Sequence, residues 1–303
     1  MSGLETAAEK AYQEWAITLV EYGRELHGPC PFCGTGKDRF IVWPEGNYFC
    51  RVCEASGRVP GTGSGPVGRD TLRKVIMAKR AKQQVRLSEW QKGFAAGYIK
   101  GYHDAMADMA LRAYWLEEGI TEESIDRYQL GYTPRRTFEG EGGRTFSSAA
   151  YTLPHVDPVS LALVNCQYRI MDLPEGAGGK YRQEPGLPPA SFYTLPKVTS
   201  GAAVVVEGGK KAIVLSQLVK RKLQTIGLPG ATPSEELYLE LEEFDVLWLV
   251  LDPGPGRGKA EERAKDFLGD RVRIVSIPVK PDDAVTQYGY TASDLRLLLS
   301  LAR

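Results

Sequence analysis

Four cysteines are placed where they could hold a metal ion. Cys30 with Cys33 and Cys50 with Cys53 form two Cys-x-x-Cys pairs within 24 residues. Two such pairs direct four thiolates at one ion, and tetrahedral thiolate coordination is typical of Zn²⁺. The segment between the pairs reads as strand, turn and strand, which predicts a zinc ribbon on a β-hairpin. We interpret the nearby His27 as a bystander, because four thiolates complete a structural site.

Other interpretations of the cysteines are weaker or less specific. The pairs could be redox-active dithiols, but two pairs this close rarely form disulfides in a reducing cell. The ion could also do no more than hold together a module too small to build its own core. Cys166 stands alone in an apolar stretch, and we expect it in the core.

Strands and helices alternate in the last third of the chain. Short apolar runs predict strands at 202–206, 247–251 and 272–277, and the segments 210–223 and 259–268 between them predict helices. A βαβαβ order predicts a parallel sheet with helices on its faces.

The carboxyl ends of these strands carry acids that could share a cation. Glu207 follows the first strand and Asp252 the second, while Asp282 and Asp283 lie just beyond the third. The ends of parallel strands meet at one edge of a sheet, so these acids should converge. Carboxylates brought together repel each other unless a divalent cation neutralises them. The pattern therefore predicts a Mg²⁺ site suited to phosphoryl transfer, and the alternative is that surface loops simply contain acids.

The spacing of apolar residues, the glycine content and the charge distinguish several segments in the N-terminal part of the chain. Apolar residues at helical spacing from 4 to 26 predict a helix packed on the ribbon. Glycines and prolines at 57–68 predict a flexible linker. Residues 70–86 are strongly basic, which fits either a segment that tracks phosphates or a solvated helix face. From 88 to 116, aromatic residues and methionines at three- or four-residue spacing predict a further helix.

The middle of the chain is predicted to be mixed in structure. Thr121 is expected to cap the start of a helix. Residues 135–148 read as a polar loop, and the β-branched and apolar residues of 151–171 are consistent with strands.

The composition is that of an ordinary globular protein. Of 303 residues, 43% are hydrophobic, and 38 Lys and Arg residues balance 38 Asp and Glu residues. No global positive field indicates a nucleic-acid partner, so any such binding must come from local patches. The sequence contains no signal peptide and no run of about 18 apolar residues, so we expect a cytoplasmic protein that has no membrane partner.

The three strand-end motifs resemble a TOPRIM domain, the nucleotidyl-transfer and hydrolysis module of primases, topoisomerases and some nucleases. They read VVVEGGKKAIVLSQ, WLVLDPGPGRGKAEERA and SIPVKPDDAVTQYG. Five further segments are similar to bacterial and phage-type, DnaG-like DNA primases. They are GPCPFC, FIVWPEGNYFCRVC, WLEEGITEESIDRYQLGYTP, CQYRIMDLPEG and GKYRQEPG. The resemblance covers nearly everything except residues 57–110.

The resemblance implies a multidomain chain of α/β and α+β structure. Residues 1–58 would form a helix and a zinc-ribbon template-binding domain, and 59–110 a flexible linker with basic and amphipathic helices. Residues 111–200 would form the mixed α+β N-terminal subdomain of the primase core, and 201–303 the TOPRIM domain with its parallel sheet.

The resemblance also implies roles for the charged residues. Glu207, Asp252 and Asp282 would be catalytic and, with Asp283, would hold Mg²⁺ or Mn²⁺. Glu207 matches the glutamate that is an acid-base or metal-linked carboxylate in this family. A smaller set would position template or nucleotide phosphates, namely Arg169, Lys180 and Lys211.

This sequence departs from the family pattern at three positions of the metal loops. Gly254 replaces the second acid of an Asp-x-Asp pair, Lys211 stands where many members have an aspartate, and Lys280 replaces another common acid. Since these changes make the site less negative, a second metal ion should bind more weakly or not at all. Lys211 or Lys280 would then substitute a fixed positive charge for a metal near the triphosphate.

An active protein of this kind is a nucleotidyltransferase that synthesises short primers on single-stranded DNA. The 3′-hydroxyl of one ribonucleotide attacks the α-phosphate of the next, and pyrophosphate leaves. The ribbon would contact template bases through Phe40, Trp43, Tyr48 and Arg51, although packing of the ribbon is an equal interpretation of its aromatic residues. A separate replicative helicase is a further expected partner.

Other functions stay open at this point. The missing acids motivate a non-enzymatic accessory protein that binds single-stranded DNA and has a degenerate TOPRIM site. Recombination mediators also join a four-cysteine finger to a TOPRIM domain, but their finger directly precedes that domain, whereas about 150 residues intervene here. A TOPRIM nuclease or a topoisomerase is a weaker alternative, since a topoisomerase would need an active tyrosine in a further domain.

Overall fold

The computed structural model contains two compact units, Met1–Val75 and Ile76–Arg303. It describes residues 3–34, 37–59, 86–93, 97–140, 144–175, 177–220, 222–230 and 233–302. Most of the predicted linker at 57–68 and of the basic segment at 70–86 lies outside the described residues, as do residues 94–96.

The first unit is a helix and a five-stranded antiparallel sheet with the strand order β1-β2-β3-β4-β5. Its elements are α1 (Gly3–Trp15), β1 (Val20–Tyr22), β2 (Glu25–Gly28), β3 (Phe40–Val42), β4 (Asn47–Cys50) and β5 (Ser56–Arg58). β3 and β4 form the predicted hairpin, in which Phe40 lies opposite Cys50. Gly57 was expected in the linker but belongs to β5, where it pairs with Tyr48.

The predicted helix over 4–26 is too long. α1 ends at Trp15, because Ala16 adopts a left-handed φ of 53°. Most of the residues at 17–22 are β-branched or aromatic. These residue types favour an extended backbone, and the segment leads into β1. Leu19 still packs on the ribbon core, whereas the Tyr22 side chain is 76% exposed.

The second unit contains a parallel sheet and an antiparallel sheet. Its helices in the described part are α2 (86–93), α3 (Met109–Glu117), α4 (Glu122–Arg127), α5 (Gly209–Leu218), α6 (Glu235–Leu241), α7 (Arg257–Leu268), α8 (Pro281–Thr286) and α9 (Ala292–Ser300). Its strands are β6 (Gly131–Glu139), β7 (Thr145–Val156), β8 (Leu163–Ile170), β9 (Tyr181–Gln183), β10 (Phe192–Tyr193), β11 (Ala202–Glu207), β12 (Gln224–Leu228), β13 (Val246–Val250) and β14 (Val272–Ile274).

The predicted parallel sheet is confirmed. Its strand order is β10-β12-β11-β13-β14, and only β10 runs antiparallel to its neighbour. Alternate residues of β11 enter different buried clusters, since Val204 and Val206 pack in one and Ala203 and Val205 in the other. The central strand is therefore buried on both faces, as an unbroken apolar run requires.

The sequence analysis missed two strands of this sheet, β10 and β12, and three helices of the same part of the chain, α6, α8 and α9. The helix predicted over 210–223 ends at Leu218 as α5, and Lys220 turns the chain with a left-handed φ of 48°. All five residues of β12 are buried, but the strand is short and contains Gly227, so its pattern is weak. The strand predicted over 272–277 ends at Ile274 as β14.

The antiparallel sheet has the order β6-β7-β8-β9. The strands predicted within 151–171 are confirmed as parts of β7 and β8. The polar loop predicted over 135–148 is wrong, because most of these residues pair as the ends of β6 and β7. Their polarity reflects a solvent-facing hairpin, in which Thr137, Glu139, Thr145 and Ser147 are exposed.

The helix predicted over 88–116 is interrupted. α2 covers 86–93, a π-helical turn covers Tyr98–His103, a 3₁₀ turn covers Asp104–Ala107, and α3 begins after Asp108. The Asp108 carboxylate accepts a hydrogen bond from the Ala110 N–H and so caps α3. The helix predicted to start at Thr121 is confirmed as α4. No helix in the described part of the chain is long and apolar enough to cross a membrane.

Gly227→Ala is expected to destabilise the second unit. A Cβ at this position would lie 2.5 Å from the carbonyl oxygen of Gly208, a backbone atom directly after β11, which pairs with β12. We expect a loss of about 1–3 kcal/mol in the free energy of unfolding, measured by urea denaturation. Gly258→Ala, whose added Cβ would meet no atom within 4 Å, is the control. Equal denaturation midpoints for the wild type and Gly227→Ala would contradict the expectation.

Candidate functional sites

The four cysteines of the first unit form a group that fits one zinc ion. Their Sγ atoms all lie within 4.8 Å of one another, and Cys30 Sγ is 3.7 Å from Cys53 Sγ. Tetrahedral zinc with Zn–S bonds of about 2.3 Å places sulfurs about 3.8 Å apart. The N–H groups of Phe32 and Val52 each donate to a cysteine sulfur at 3.4 Å, which orients the knuckles.

The Cys30 thiol differs from an ordinary cysteine in its pKa. Burial raises the pKa of the Cys30 thiol to about 12. At neutral pH this sulfur therefore needs the positive charge of an ion to become a thiolate. His27 is not part of the group, because its Nε2 shares a hydrogen bond with Glu25 Oε2 at 3.0 Å.

The ribbon surface differs from the one predicted for template contact. Phe40 is fully buried, so its predicted contact with bases is wrong, and Tyr48 packs against Trp15 with ring centroids 5.2 Å apart. Tyr22 and Arg51 are exposed and line the same groove. The other residues of this ≈ 580 Å³ groove are Val20, Glu25, His27, Lys37 and Asp38. The sequence analysis did not place Tyr22 on this surface, because the helix predicted over 4–26 was expected to pack on the ribbon.

A glycine turn at the end of β11 positions the first acid of the parallel sheet. Glu207 is the last residue of β11, and Gly208 follows with a φ of 88°, which only glycine adopts readily. The Gly208 N–H donates to the Leu228 carbonyl at 2.7 Å. A Cβ on Gly209 would lie 2.8 Å from Leu153, so this residue must also be small. α5 therefore starts immediately beside the strand end.

Glu207 and Asp252 lie at the ends of neighbouring parallel strands. Val206 pairs in register with Val250, so Glu207 is level with Leu251, one residue before Asp252. The Asp283 carboxylate instead accepts a hydrogen bond from Gln287 within its own helix. Among the described residues, the predicted acids do not form a group of three or more with ligand atoms as close together as those of the cysteines.

Two of the predicted metal ligands are each paired with a lysine from the first turn of α5. Lys211 Nζ lies 2.8 Å from Asp252 Oδ2, and Lys210 Nζ lies 2.6 Å from Asp282 Oδ2. Lys210 also forms an ion pair with Glu118. Lys280 is exposed at the start of α8. Lys210 and Lys211 are therefore the lysines that the structure pairs with these two acids.

The Lys210 pair is ionised despite its burial. Burial lowers the pKa of Lys210, but the hydrogen bonds to Asp282 and Glu118 outweigh burial and raise it above the usual range. Burial likewise raises the pKa of Asp282, but Lys210 outweighs it and holds this pKa below the usual range. The other oxygens of both aspartates, Asp252 Oδ1 and Asp282 Oδ1, are buried and find no hydrogen-bond partner in the described structure.

Glu118 and Lys210 are site residues that the sequence analysis missed. Glu118 lies 92 residues before Lys210, and no local pattern connects the two. The loop after α3 is held on α5 because Gln217 donates to the Gly119 carbonyl at 2.9 Å and accepts from the Thr121 N–H at 3.0 Å. Lys210 could have been noticed from its place in the Glu-Gly-Gly-Lys-Lys motif.

A row of residues crosses the antiparallel sheet beside this cluster. Tyr132, Tyr151, Arg169 and Tyr181 are opposite one another on β6 to β9. Tyr114 of α3 stacks on Tyr151 at 4.0 Å, and its ring lies 5.7 Å from the Arg169 guanidinium.

Tyr181, at one end of this row, lies near the predicted phosphate-binding residue Lys180 and acts electrostatically on Lys210 of α5. Lys180 is exposed, with its Nζ 5.7 Å from the centre of the Tyr181 ring. Burial raises the pKa of Tyr114, and Tyr181 adds to the increase. Tyr181 also contributes to the raised pKa of Lys210. Tyr181 therefore lies close enough to act electrostatically on both Tyr114 and Lys210.

Comparison with known proteins finds a family model that matches part of the first unit. A family model described as the zinc-binding domain of primase-helicase matches residues 25–64. No curated protein matches the chain significantly.

Several solved structures have a similar fold. The zinc-binding and RNA polymerase domains of the Aquifex aeolicus primase match with a TM-score of 0.57 at 17% identity, over 100% of this chain and 86% of that one. A DNA primase domain from Pseudomonas aeruginosa matches with a TM-score of 0.55 at 19% identity, over 68% and 77% of the two chains. A DnaG catalytic core matches with a TM-score of 0.54 at 14% identity, over 68% and 78%. The chain thus has the fold of the DnaG-type primases.

We expect one zinc ion per chain, held by the four cysteines. Cys50→Ser should lose the ion and the folded structure of the first unit, because this unit has only a small apolar core beside the metal. Zinc content by atomic emission and unfolding by circular dichroism measure the two effects. Cys166→Ala is the matched control, since Cys166 lies in the second unit and should leave the zinc content unchanged. Full zinc occupancy in Cys50→Ser would contradict the assignment.

Proposed function

We propose that this protein is a DNA primase, a nucleotidyltransferase of the DNA-directed RNA polymerase type that synthesises short primers on single-stranded DNA. One observation carries the proposal: Asp252 and Asp282 lie at the carboxyl edge of the parallel sheet, each with a buried oxygen that finds no partner in the part of the chain that the structure describes, and the chain has the primase fold. The zinc ribbon match supports the same conclusion.

The proposed reaction joins two nucleotides opposite a template. The 3′-hydroxyl oxygen of one nucleotide forms a bond to the α-phosphorus of the next, the bond between the α-phosphorus and the bridging oxygen breaks, and pyrophosphate leaves. The hydroxyl proton is lost to a base. In such a reaction the protein contributes mainly positioning and charge stabilisation.

We assign Glu207, Asp252 and Asp282, with Asp283, as the residues that would hold Mg²⁺ or Mn²⁺. The free oxygens of Asp252 and Asp282 fit this role, because a buried carboxylate oxygen without a donor calls for a cation or water. When bound, the cation supplies positive charge that orients the triphosphate and offsets charge developing during transfer.

Phosphates of the template or nucleotide are proposed to bind along the row that crosses the antiparallel sheet. Arg169 is a fixed guanidinium there, held by its Nη1 hydrogen bond to the Ile170 carbonyl at 2.8 Å. Lys180 is exposed and free to reach a phosphate in solution. Arginine and lysine contacts of this kind fix the position of a nucleic acid without reading its sequence.

The domain roles follow from this proposal. Residues 1–58 are proposed as the template-binding ribbon, 111–200 as the N-terminal subdomain of the primase core and 201–303 as the TOPRIM domain. Nucleoside triphosphates and single-stranded DNA are the proposed partners, with a separate replicative helicase as a protein partner.

A second function, that of an accessory protein that binds single-stranded DNA, is favoured by one observation. Lys210 and Lys211 neutralise two of the acids that would attract a metal ion. A protein with this function would bind template and would make no product.

Primer synthesis on mixed-sequence single-stranded DNA separates the two functions. With labelled ribo- or deoxynucleoside triphosphates and Mg²⁺ or Mn²⁺, we expect short products that Glu207→Gln and Asp252→Asn reduce by about 100-fold or more. Lys265→Met changes an exposed lysine of α7 and should leave synthesis intact. No product from zinc-loaded protein that binds DNA, with either metal, would overturn the enzymatic proposal in favour of the accessory function.

Tyr22→Ala is expected to weaken binding of single-stranded DNA by about 5- to 150-fold, because stacking of one base on an aromatic ring contributes about 1–3 kcal/mol. Fluorescence anisotropy with a labelled oligonucleotide measures the change. Tyr12→Ala removes another exposed tyrosine of the same unit and serves as the control. Equal affinities of the two variants would remove the Tyr22 groove from the proposed template surface.

A further inference from the structure

Two lysines occupy an unusual place in the second unit. Lys210 and Lys211 lie in the first turn of α5, where the helix presents free N–H groups and the positive end of its dipole. Positive side chains are unfavourable at this end of a helix unless anions lie close by. The position is instead well suited to phosphate groups, which accept hydrogen bonds from both the backbone and the lysines.

The anions that stabilise the lysines come from three separate segments. Asp252 follows β13, Asp282 lies in the first turn of α8, and Glu118 ends α3. Lys211 also acts electrostatically on Asp282, so its charge is shared between the two strand-end loops. The two lysines therefore lie among the carboxylates of Asp252, Asp282 and Glu118, which together form the carboxylate cluster.

The cluster still offers an acceptor for one further cation. The Asp282 side chain is only 6% exposed, and its Oδ1 has no hydrogen-bond partner among the described residues, although Oδ2 is paired with Lys210. An unsatisfied oxygen of a buried carboxylate is unfavourable and points to a ligand that the protein chain does not provide.

A triphosphate approaching carboxylates is repelled unless positive charge lies between them. One divalent ion bound at the free oxygens provides part of this charge. Lys210 and Lys211 provide two further positive charges, and they stand beside backbone donors at the start of α5.

We propose that Lys210 and Lys211 bind the triphosphate of the incoming nucleotide in place of a second divalent ion, so that the site holds a single Mg²⁺ or Mn²⁺. This inference rests on the proposed function, because it concerns the same strand-end site. The inference adds Lys210 to the nucleotide-binding residues, and it explains why the two aspartates are paired with lysines.

Counting bound Mn²⁺ by electron paramagnetic resonance tests the inference without any synthesis. Zinc-loaded wild-type protein should bind one Mn²⁺ per chain in the absence of nucleotide. Lys211→Asp, which replaces a cation by a carboxylate next to Asp252, should bind two. Two Mn²⁺ ions in the wild type would overturn the inference, and this wild-type count does not depend on whether Lys211→Asp folds.

Affinity for ATP provides the second measurement. In buffer freed of divalent ions by a chelating resin, the wild type should still bind ATP, and Lys210→Met and Lys211→Met should each bind about tenfold more weakly or worse. Lys265→Met is the matched control with unchanged affinity. Unchanged or tighter ATP binding by both variants, with the wild-type circular dichroism spectrum, would show that the lysines only hold the loops together.

The two proposals fail in different ways. If the wild type binds one Mn²⁺ and metal-free ATP but makes no primers, the proposed function fails and the inference about the lysines stands. If it makes primers but binds two Mn²⁺ ions, the inference fails and the proposed function stands.

Discussion

The close approach of β11 and β12 at the Gly208 turn is the constraint on which the candidate site depends. The Gly208 N–H binds the Leu228 carbonyl, and Gly227 leaves room for the turn because it has no side chain. This contact starts α5 immediately after Glu207. As a result, a carboxylate at a strand end and two lysines in a helix turn share one edge of the sheet without any long loop between them.

Lys210 then connects parts of the second unit that are distant in sequence. Its ammonium group pairs with Glu118 at the end of α3 and with Asp282 of α8. Truncation of one partner in a buried ion pair leaves the other charge uncompensated, which is strongly destabilising. The ion pairs therefore serve structure and charge balance together: the residues that neutralise the cluster also hold its loops against α5.

The sequence allowed prediction of features whose signals are local. The cysteine spacing predicted the metal group, and the unbroken apolar runs predicted β11 and β13 with acids at their ends. Glu118 could not be predicted in the site, since its contact with Lys210 joins residues 92 positions apart. β12 was missed because five buried residues that include a glycine resemble the end of a helix as much as a strand. Helix length was overestimated at Ala16 and near Lys220, where left-handed residues end helices without glycine or proline.

The short strand β10 has a consequence for how the second unit can be divided. Phe192 and Tyr193 follow the antiparallel sheet in sequence, yet they pair with Gly227 and Ile226 and cover the edge of β12. Uncovered edge strands are templates for association with other chains. A fragment that begins at residue 201 would expose the backbone of β12 and would tend to aggregate, whereas one that begins before β10 keeps this edge protected. The chain segment that completes the parallel sheet thus lies outside the boundary that its sequence motifs indicate.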